Sequence, residues 1–254
     1  MIEQTVITLI LVLSRIGSFL VAAPVYGGGF APRMVKIGLV FALAVMWMGS
    51  GTVEPVNQDS TAVIGWLGLG IATVRECVLG ATIGYCFGLL LEPARIAGAY
   101  IGQEMGLTLA TVVDPGQNTS SNVFGQLLET IAILLCLGAD THLIVLVGLH
   151  MTFELWPCGS PLPHLPLLEI VHDTSAIHQW GLLIAAPVGI CTFLTLIILA
   201  LTMKTSPQLN LFSVGFSVRL AAGLVAMFVL IPVCLHAIMR VLLQADVIIE
   251  RMVF

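Results

Sequence analysis

Charged side chains are scarce in this chain of 254 residues. They make up 9% of the sequence, against about 25% in an average soluble domain, whereas hydrophobic types reach 58%. A soluble globule has more surface than so few charges can cover, and a disordered chain requires the opposite composition. Nine Lys and Arg residues form no basic stripe for a phosphate backbone, which argues against nucleic-acid binding. The remaining class is an integral membrane protein or a subunit buried in an apolar assembly.

Paired cysteines and catalytic motifs are also missing. The six cysteines include no CxxC pair, and most lie in apolar runs, where Cys behaves as a small hydrophobe. His150 and Glu154 are four residues apart, but the second histidine of a zinc-binding HExxH motif is absent. Neither a GxSxG motif nor a Gly-rich phosphate loop occurs. We therefore predict no catalytic residue, no metal, no cofactor and no enzyme activity.

Long apolar runs dominate what is present. A membrane-spanning helix needs about 20 predominantly apolar residues. The runs cover residues 5–23, 35–51, 61–91, 94–113, 123–137, 142–156, 174–203 and 211–243. Because no alternation typical of a membrane strand is sustained, we predict an all-α membrane protein of roughly six to eight helical pieces, several of them short, broken or kinked.

Proline, glycine and polar residues separate these runs. A helix boundary is predicted at Glu92–Pro93, since the residue before a proline disfavours the α conformation, and the long run 174–203 is expected to be interrupted at Pro187. The most polar stretch, residues 114–122, reads as a loop that is either an ordinary connection or a gate. We treat the chain as a single domain, with N-terminal helices in residues 1–113 and C-terminal helices in residues 123–254.

Three glycines of the fourth run recur every four residues. Gly98, Gly102 and Gly106 are therefore predicted to share one helix face. Such a face allows the backbones of two helices to approach closely.

Several ionisable or polar groups lie in or between the apolar runs. They are Arg15, Arg75, Glu76, Gln103, Glu104, Glu129, Asp140, His150 and Arg219. A central charge facing lipid costs at least about 2.5–3.5 kcal/mol, so we expect these groups to face protein, one another or water. Arg75 and Glu76 are adjacent and cannot pair with each other on a helix, so a buried network with distant partners is predicted, with exposure in a loop as the alternative. The pattern favours a subunit completed by partners, or the lining of a pathway.

The C-terminal stretch contains a motif of the form PQxN-F-x-x-GF-x-x-K/R, formed by Pro207, Gln208, Asn210, Phe212, Gly215, Phe216 and Arg219. Further motif residues precede it, namely Arg15, Pro24, Pro32, Arg33, Glu76, Gly80, Gly84, Gln103, Gly106, Asp114 and Pro115. In sequence and order these residues resemble the pattern of the FliR/SctT family of type III secretion export proteins, whose signature ends in Lys where this chain has Arg219. Val214-Gly215-Phe216 favours the flagellar branch, FliR, over the virulence branch, SctT.

Two segments depart from the family pattern. The family often has an Asn-Gly-His turn where this chain has Asp140-Thr141-His142. It usually has Pro-Leu-Lys where this chain has Ser217-Val218-Arg219, which keeps the positive charge and changes its hydrogen-bond geometry.

The resemblance implies a non-enzymatic subunit of a protein export gate. Such a subunit joins FliP-like and FliQ-like subunits, and also an FlhB-like subunit, in the multi-pass membrane part of the flagellar basal body. Together they pass unfolded proteins across the bacterial inner membrane. The implied fold is a set of tilted, broken helical hairpins packed in a hetero-oligomeric helical assembly. The resemblance also maps a pore plug onto the segment containing Gly106, Asp114, Pro115, Gly116, Gln117, Asn118 and Asn122.

A stand-alone secondary transporter is the alternative from another functional class. Segments broken near Pro32 and Pro207 resemble the paired half-helices that bind ions and solutes in such transporters. A transporter is expected to be stable and to bind a small solute alone, whereas an export-gate subunit is expected to co-purify with its partners.

Overall fold

The computed structural model describes residues 2–23, 32–51, 53, 65–107, 123–161, 167–205 and 215–243. Within these ranges the chain forms seven α-helices and no β-strand. They are α1 (Ile2–Ala22), α2 (Arg33–Gly49), α3 (Gly65–Glu104), α4 (Val123–Gly138), α5 (Thr141–Leu155), α6 (Leu167–Thr205) and α7 (Phe216–Leu242). The predicted all-α class is confirmed.

Four of these helices are long and apolar enough to cross a membrane. The candidate spans are Glu3–Ala22, Trp66–Glu104, Thr174–Thr202 and Phe216–Leu242. The two shorter helices α4 and α5, separated by a short break, make a fifth span if they are counted as one broken helix. The prediction of a multi-pass membrane protein with short and broken pieces agrees with this arrangement.

Three helices continue through an internal proline. Pro93 lies inside α3, Pro187 inside α6 and Pro232 inside α7. The predicted helix boundary at Glu92–Pro93 is therefore wrong, and so is the interruption at Pro187. Packing explains the first case: Gly181 of α6 lies so close that a Cβ there would sit 3.3 Å from the Pro93 carbonyl oxygen. A neighbouring helix covers this turn, and apolar surroundings then favour helix over loop despite the missing donor.

The chain divides into two compact units. Unit 1 comprises residues 1–90, 140–171 and 244–254, and unit 2 comprises residues 91–139 and 172–243. In unit 1 the buried core includes Leu11, Val12, Ile16, Phe19 and Leu20 of α1, with Ala44, Trp47, Val145, Leu149 and Phe153. In unit 2 it includes Ala97, Ile101, Met105, Leu128, Ala132, Ile184, Val188, Met227 and Ile238. The single subunit domain stays a prediction.

Candidate functional site

A charged side chain lies in the centre of the unit 1 core. Arg15 sits on the face of α1 that also carries Leu11, Val12 and Phe19, and its side chain is 0% exposed. A buried guanidinium is stable only when it is paired and its donors are bound, because removing a charge from water is costly. The surroundings of Arg15 therefore define the first candidate site, which we call the Arg15 cluster.

The guanidinium of Arg15 binds a carboxylate and the end of a helix. Its Nε donates to Glu76 Oε2 of α3 at 2.5 Å. Its Nη1 and Nη2 donate to the carbonyl oxygens of Thr152 and Trp156, each at 3.0 Å. The same group lies over the ring of Phe153, 4.3 Å from the ring centroid. The Thr152 carbonyl also accepts from the Trp156 N–H at 3.0 Å, and the Trp156 carbonyl directly follows α5. Both carbonyls lie at the negative end of this helix, where a positive group is favourable.

Glu76 completes the cluster from the opposite side. Its side chain is 2% exposed, and its second oxygen, Oε1, accepts a hydrogen bond from the backbone N–H of Gly159 at 3.0 Å. The ion pair thus joins α1, α3 and the turn that follows α5. Because both charges are buried and neutralised inside unit 1, the cluster stabilises an arrangement of helices and offers no open position for a ligand.

Two glycines of α3 allow α1 to approach this closely. A Cβ on Gly80 would overlap the Arg15 carbonyl oxygen and the Ser18 hydroxyl. A Cβ on Gly84 would lie 2.6 Å from the carbonyl oxygen of Phe19. Glu76, Gly80 and Gly84 are spaced by four residues and therefore lie on one face of α3. The face of α3 that contacts α1 therefore carries one carboxylate, which binds Arg15, and two glycines, which leave room for the backbone of α1.

Cys158 lies beside the Arg15 cluster and is also buried, with 7% exposure. Burial raises the pKa of its thiol from 9.0 to about 12, while the positive charge of Arg15 partly opposes this rise. The thiol is therefore protonated near neutral pH. A protonated, buried thiol is a poor nucleophile and a poor metal ligand.

His150 and Glu154 form a loose pair on α5. His150 Nε2 lies 3.9 Å from Glu154 Oε1, and its ring packs on Trp47 with 5.4 Å between ring centroids. No group of three potential metal-binding side chains occurs in the part of the chain that the structure describes. His150 thus serves in an aromatic packing contact with Trp47 that joins α2 and α5.

A second ion pair lies in unit 2, at the end of α3. Arg219 Nη2 of α7 donates to Glu104 Oε2 at 3.1 Å, and both side chains are partly exposed. The neighbouring Met105 is fully buried, and its side chain fills the space where a Cβ on Gly223 would be, 2.5 Å away. These two contacts fix the last turn of α3 against α7.

The helix α3 ends in a defined stop at Gly106. Gly106 has φ +82°, its N–H donates to the Gln103 carbonyl at 2.9 Å, and the Leu107 N–H donates to the Gly102 carbonyl at 3.1 Å. This is a Schellman motif, in which a left-handed residue, usually glycine, closes the helix. The remaining residues predicted for the pore plug, Asp114, Pro115, Gly116, Gln117, Asn118 and Asn122, lie outside the described residues.

The structure brings some of the predicted charges together and leaves others apart. Arg15 pairs with Glu76, and Glu104 pairs with Arg219. By contrast, Arg75 and Gln103 are exposed. Glu129 lies 3.8 Å from Arg95, whose side chain is 55% exposed, and such a contact contributes little.

Only part of the C-terminal family motif is described. Gly215 is buried and Phe216 begins α7. Pro207, Gln208, Asn210 and Phe212 lie outside the described residues.

The partners that sequence reasoning missed are mostly backbone groups. Arg15 binds the carbonyls of Thr152 and Trp156, and Glu76 binds the amide of Gly159. No residue type marks such partners, because every residue carries the same backbone groups. The sequence did indicate the ion pair itself, because Arg15 and Glu76 are charged residues in two separate apolar runs.

Comparison with known proteins agrees with this description. Residues 6–245 match the family model described as bacterial export proteins, family 1. The chain is 30% identical over 245 residues to the flagellar biosynthetic protein FliR of Escherichia coli, covering 94% of this chain and 91% of that protein. It is 31% identical over 222 residues to FliR of Pectobacterium carotovorum, covering 86% and 82%, and 27% identical over 233 residues to FliR of Bacillus subtilis, covering 90% and 86%.

These matches cover both units and include both ion pairs. The family model begins before Arg15 and ends after Arg219, and its span contains six of the seven helices in full. The predicted resemblance to the FliR/SctT family is confirmed by these matches. The chain is a member of family 1 of the bacterial export proteins.

Proposed function

We propose that this chain is a non-enzymatic membrane subunit of the flagellar protein export apparatus. With FliP-like and FliQ-like subunits it forms the channel that passes unfolded proteins across the bacterial inner membrane. The observation that carries the proposal is a family match over residues 6–245 on a chain with four or five apolar helices. The FliR relatives are flagellar biosynthetic proteins by name, and they align over most of their own length.

The geometry supports a structural role over a catalytic one. The two buried charged groups among the described residues, Arg15 and Glu76, bind each other and backbone groups at or after the end of α5. The buried thiol of Cys158 is protonated near neutral pH. These groups stabilise a scaffold, which is what a passive channel subunit requires.

Many large apolar side chains remain on the surface of the chain. In α6 they include Leu182, Leu183, Ile190, Phe193, Leu194 and Ile198, and in α7 they include Leu224, Val225, Phe228, Val229 and Val233. Contiguous apolar surface of this kind marks contact with a membrane or with other proteins. A multi-pass subunit of a hetero-oligomer uses both.

Deletion of the coding sequence in its own host tests the proposal. We expect secretion of flagellar subunits to stop and the filament to be absent, with both restored by the wild-type chain. Electron microscopy of cells and immunoblots of the culture medium measure the two effects. Normal filaments in the deletion strain, together with loss of secretion through a virulence system, would favour the SctT counterpart. Normal secretion by both routes would contradict the proposal.

The pore-plug role of residues 114–122 has its own test. We expect a cysteine introduced as Asn118→Cys to react with a membrane-impermeant maleimide at a different rate when an export substrate is stalled in the channel. The exposed Cys191 is replaced by Ala to remove background. An unchanged rate would contradict the plug role and leave the export role standing.

A further inference from the structure

The outward face of the first half of α3 carries a continuous apolar stripe. Leu67, Ile71, Val74, Val78 and Tyr85 are all exposed. Their spacing of three, four or seven residues places them along one side of the helix. This side is opposite to the face on which Glu76, Gly80 and Gly84 contact α1. We call this side, together with Arg75, the Arg75 stripe.

Arg75 is the one charged residue on this stripe. Between Gly65 and Leu91 the sequence contains two charged residues, Arg75 and Glu76. Glu76 is buried and satisfied by Arg15 and Gly159. Arg75 is exposed, and among the described residues it forms no hydrogen bond or ion pair.

The position of Arg75 makes a purely lipid environment unfavourable. It lies ten residues after the start of α3 at Gly65, which corresponds to about 15 Å along the helix axis. The stretch from Gly65 to Leu91, in which Arg75 and Glu76 are the charged residues, is about 40 Å long, and the hydrocarbon core of a bilayer is about 30 Å thick, so any placement of the core within this stretch includes Arg75. A central Arg facing lipid costs at least about 2.5–3.5 kcal/mol, and acyl chains offer no anion to reduce that cost.

We propose that the Arg75 stripe is a docking surface for an apolar helix of a partner subunit that places a carboxylate opposite Arg75. Apolar residues on both sides of Arg75 fit a helix packed along the stripe, and the lone positive charge requires a negative one at the same level. Arginine suits this role because its planar guanidinium binds a carboxylate through two parallel hydrogen bonds. The inference rests on the proposed function, since it assumes that the chain assembles with other membrane subunits.

Substitutions of Arg75 in the co-expressed complex test this proposal. The chain is produced with its FliP-like and FliQ-like subunits, and the assembled fraction is measured on native gels. We expect Arg75→Leu and Arg75→Glu to lower the assembled fraction at least about tenfold, because each leaves the partner carboxylate buried without a cation. Arg75→Lys is expected to give an intermediate assembled fraction, because it keeps the charge and loses the two parallel hydrogen bonds, and Val74→Leu, a neighbouring change without loss of charge, is the matched control.

Two further measurements separate the possible outcomes. The melting temperature of Arg75→Leu alone in detergent is expected to equal that of the wild type, and an Asp or Glu to Arg change in a partner helix is expected to restore assembly of Arg75→Glu. Normal assembly of Arg75→Leu would show that the stripe faces lipid and would overturn the proposal. A lowered melting temperature of the isolated variant would show a role within the chain and would also overturn it. Failure of the wild-type chain to assemble would contradict the proposed function itself, and this inference with it.

Discussion

Arg15 and Glu76 stabilise unit 1 as a pair, because loss of either side chain leaves the charge of the other without a partner. Arg15 has three hydrogen bonds, and the carboxylate of Glu76 supplies its countercharge. Removing one member of a buried pair leaves an uncompensated charge in the core, which typically costs about 3–5 kcal/mol. The pair is therefore expected to be among the most sensitive positions of unit 1.

Glu76→Gln tests this directly. We expect the free energy of unfolding to fall by about 3 kcal/mol or more, since the positive charge of Arg15 loses its partner. Thermal unfolding in detergent, followed by tryptophan fluorescence, measures the change. Glu154→Gln is the control, because Glu154 is 62% exposed and its contact with His150 is long, at 3.9 Å. Equal effects of the two substitutions would contradict the assigned role of the cluster.

Cys158 gives a prediction about pH. Its pKa is raised from 9.0 in the unfolded chain to about 12 in the folded one, so the folded chain retains a proton that the unfolded chain releases. The resulting stabilisation is complete below pH 9 and is lost as the pH rises toward about 12. We expect the stability of the wild type to fall more steeply over this range than that of Cys158→Ala. A Cys191→Ala variant serves as control, and parallel curves for the wild type and Cys158→Ala would count against the assignment.

At the residue scale, the sequence identified the charged residues in apolar runs, but it did not identify which of them are buried or what they bind. Both Arg75 and Glu76 have apolar neighbours, and the pattern placed both in a buried network. Only Glu76 faces α1, because adjacent residues of a helix point about 100° apart. Which of the two turns inward depends on the glycine face of α3, which is a property of packing between helices.

Glycine positions decide how closely the helices of unit 1 approach. Gly80 lies against the backbone of Arg15, whereas Gly70, on the same helix, has no atom within 4 Å of where its Cβ would be. The two residues are thus chemically equal and differ in their surroundings alone. The same substitution at Gly70 is therefore a matched control for one at Gly80.

Gly80→Ala is expected to destabilise the chain and Gly70→Ala to leave it equal or more stable. At Gly80 the new methyl group overlaps the Arg15 carbonyl, so α1 must shift and the ion pair weakens, with a cost of about 1–3 kcal/mol. At Gly70 alanine favours the helix by about 0.5–1 kcal/mol. Melting temperatures of the two variants in the same detergent measure the difference. If Gly80→Ala melted as high as Gly70→Ala, the close approach of α1 and α3 would be wrong.

At the scale of the helices, the glycine repeat near the end of α3 predicted close packing only in part. The prediction of close packing at Gly98, Gly102 and Gly106 is confirmed at Gly98, where a Cβ would overlap the Phe124 carbonyl and Gly125. It is wrong for Gly102, whose nearest neighbour is the Phe124 ring at 3.9 Å, and for Gly106, which ends the helix. Spacing predicts a shared face, but it does not give the length over which a partner helix follows that face.

The break between α4 and α5 shows a local rule that held. Asp140 adopts φ 56°, in the left-handed region. Asp, Asn and Gly are the residues that enter this region most readily, which is consistent with the Asn-Gly type of turn in the family pattern. By contrast, Pro93 does not end α3, where the neighbouring α6 packs against the same turn, and Pro187 does not end α6.

For the whole molecule, two contacts among the central charges are made inside the chain, as one of the predicted alternatives has it. Arg15 pairs with Glu76 within unit 1, and Glu104 pairs with Arg219 within unit 2. The features that still require other molecules are the exposed apolar side chains of α6 and α7 and the unpaired Arg75 among the described residues. Each unit is therefore expected to be internally stable, while its outer surface needs lipid and partner subunits.

Co-expression with the FliP-like and FliQ-like subunits, followed by native mass spectrometry of the purified material, tests the central claim most directly. The account predicts a complex of fixed composition in which this chain is bound to both subunits, and a strong tendency of the chain alone to aggregate when detergent is diluted. A monodisperse, stable chain that purifies without those subunits and binds a small solute would contradict it.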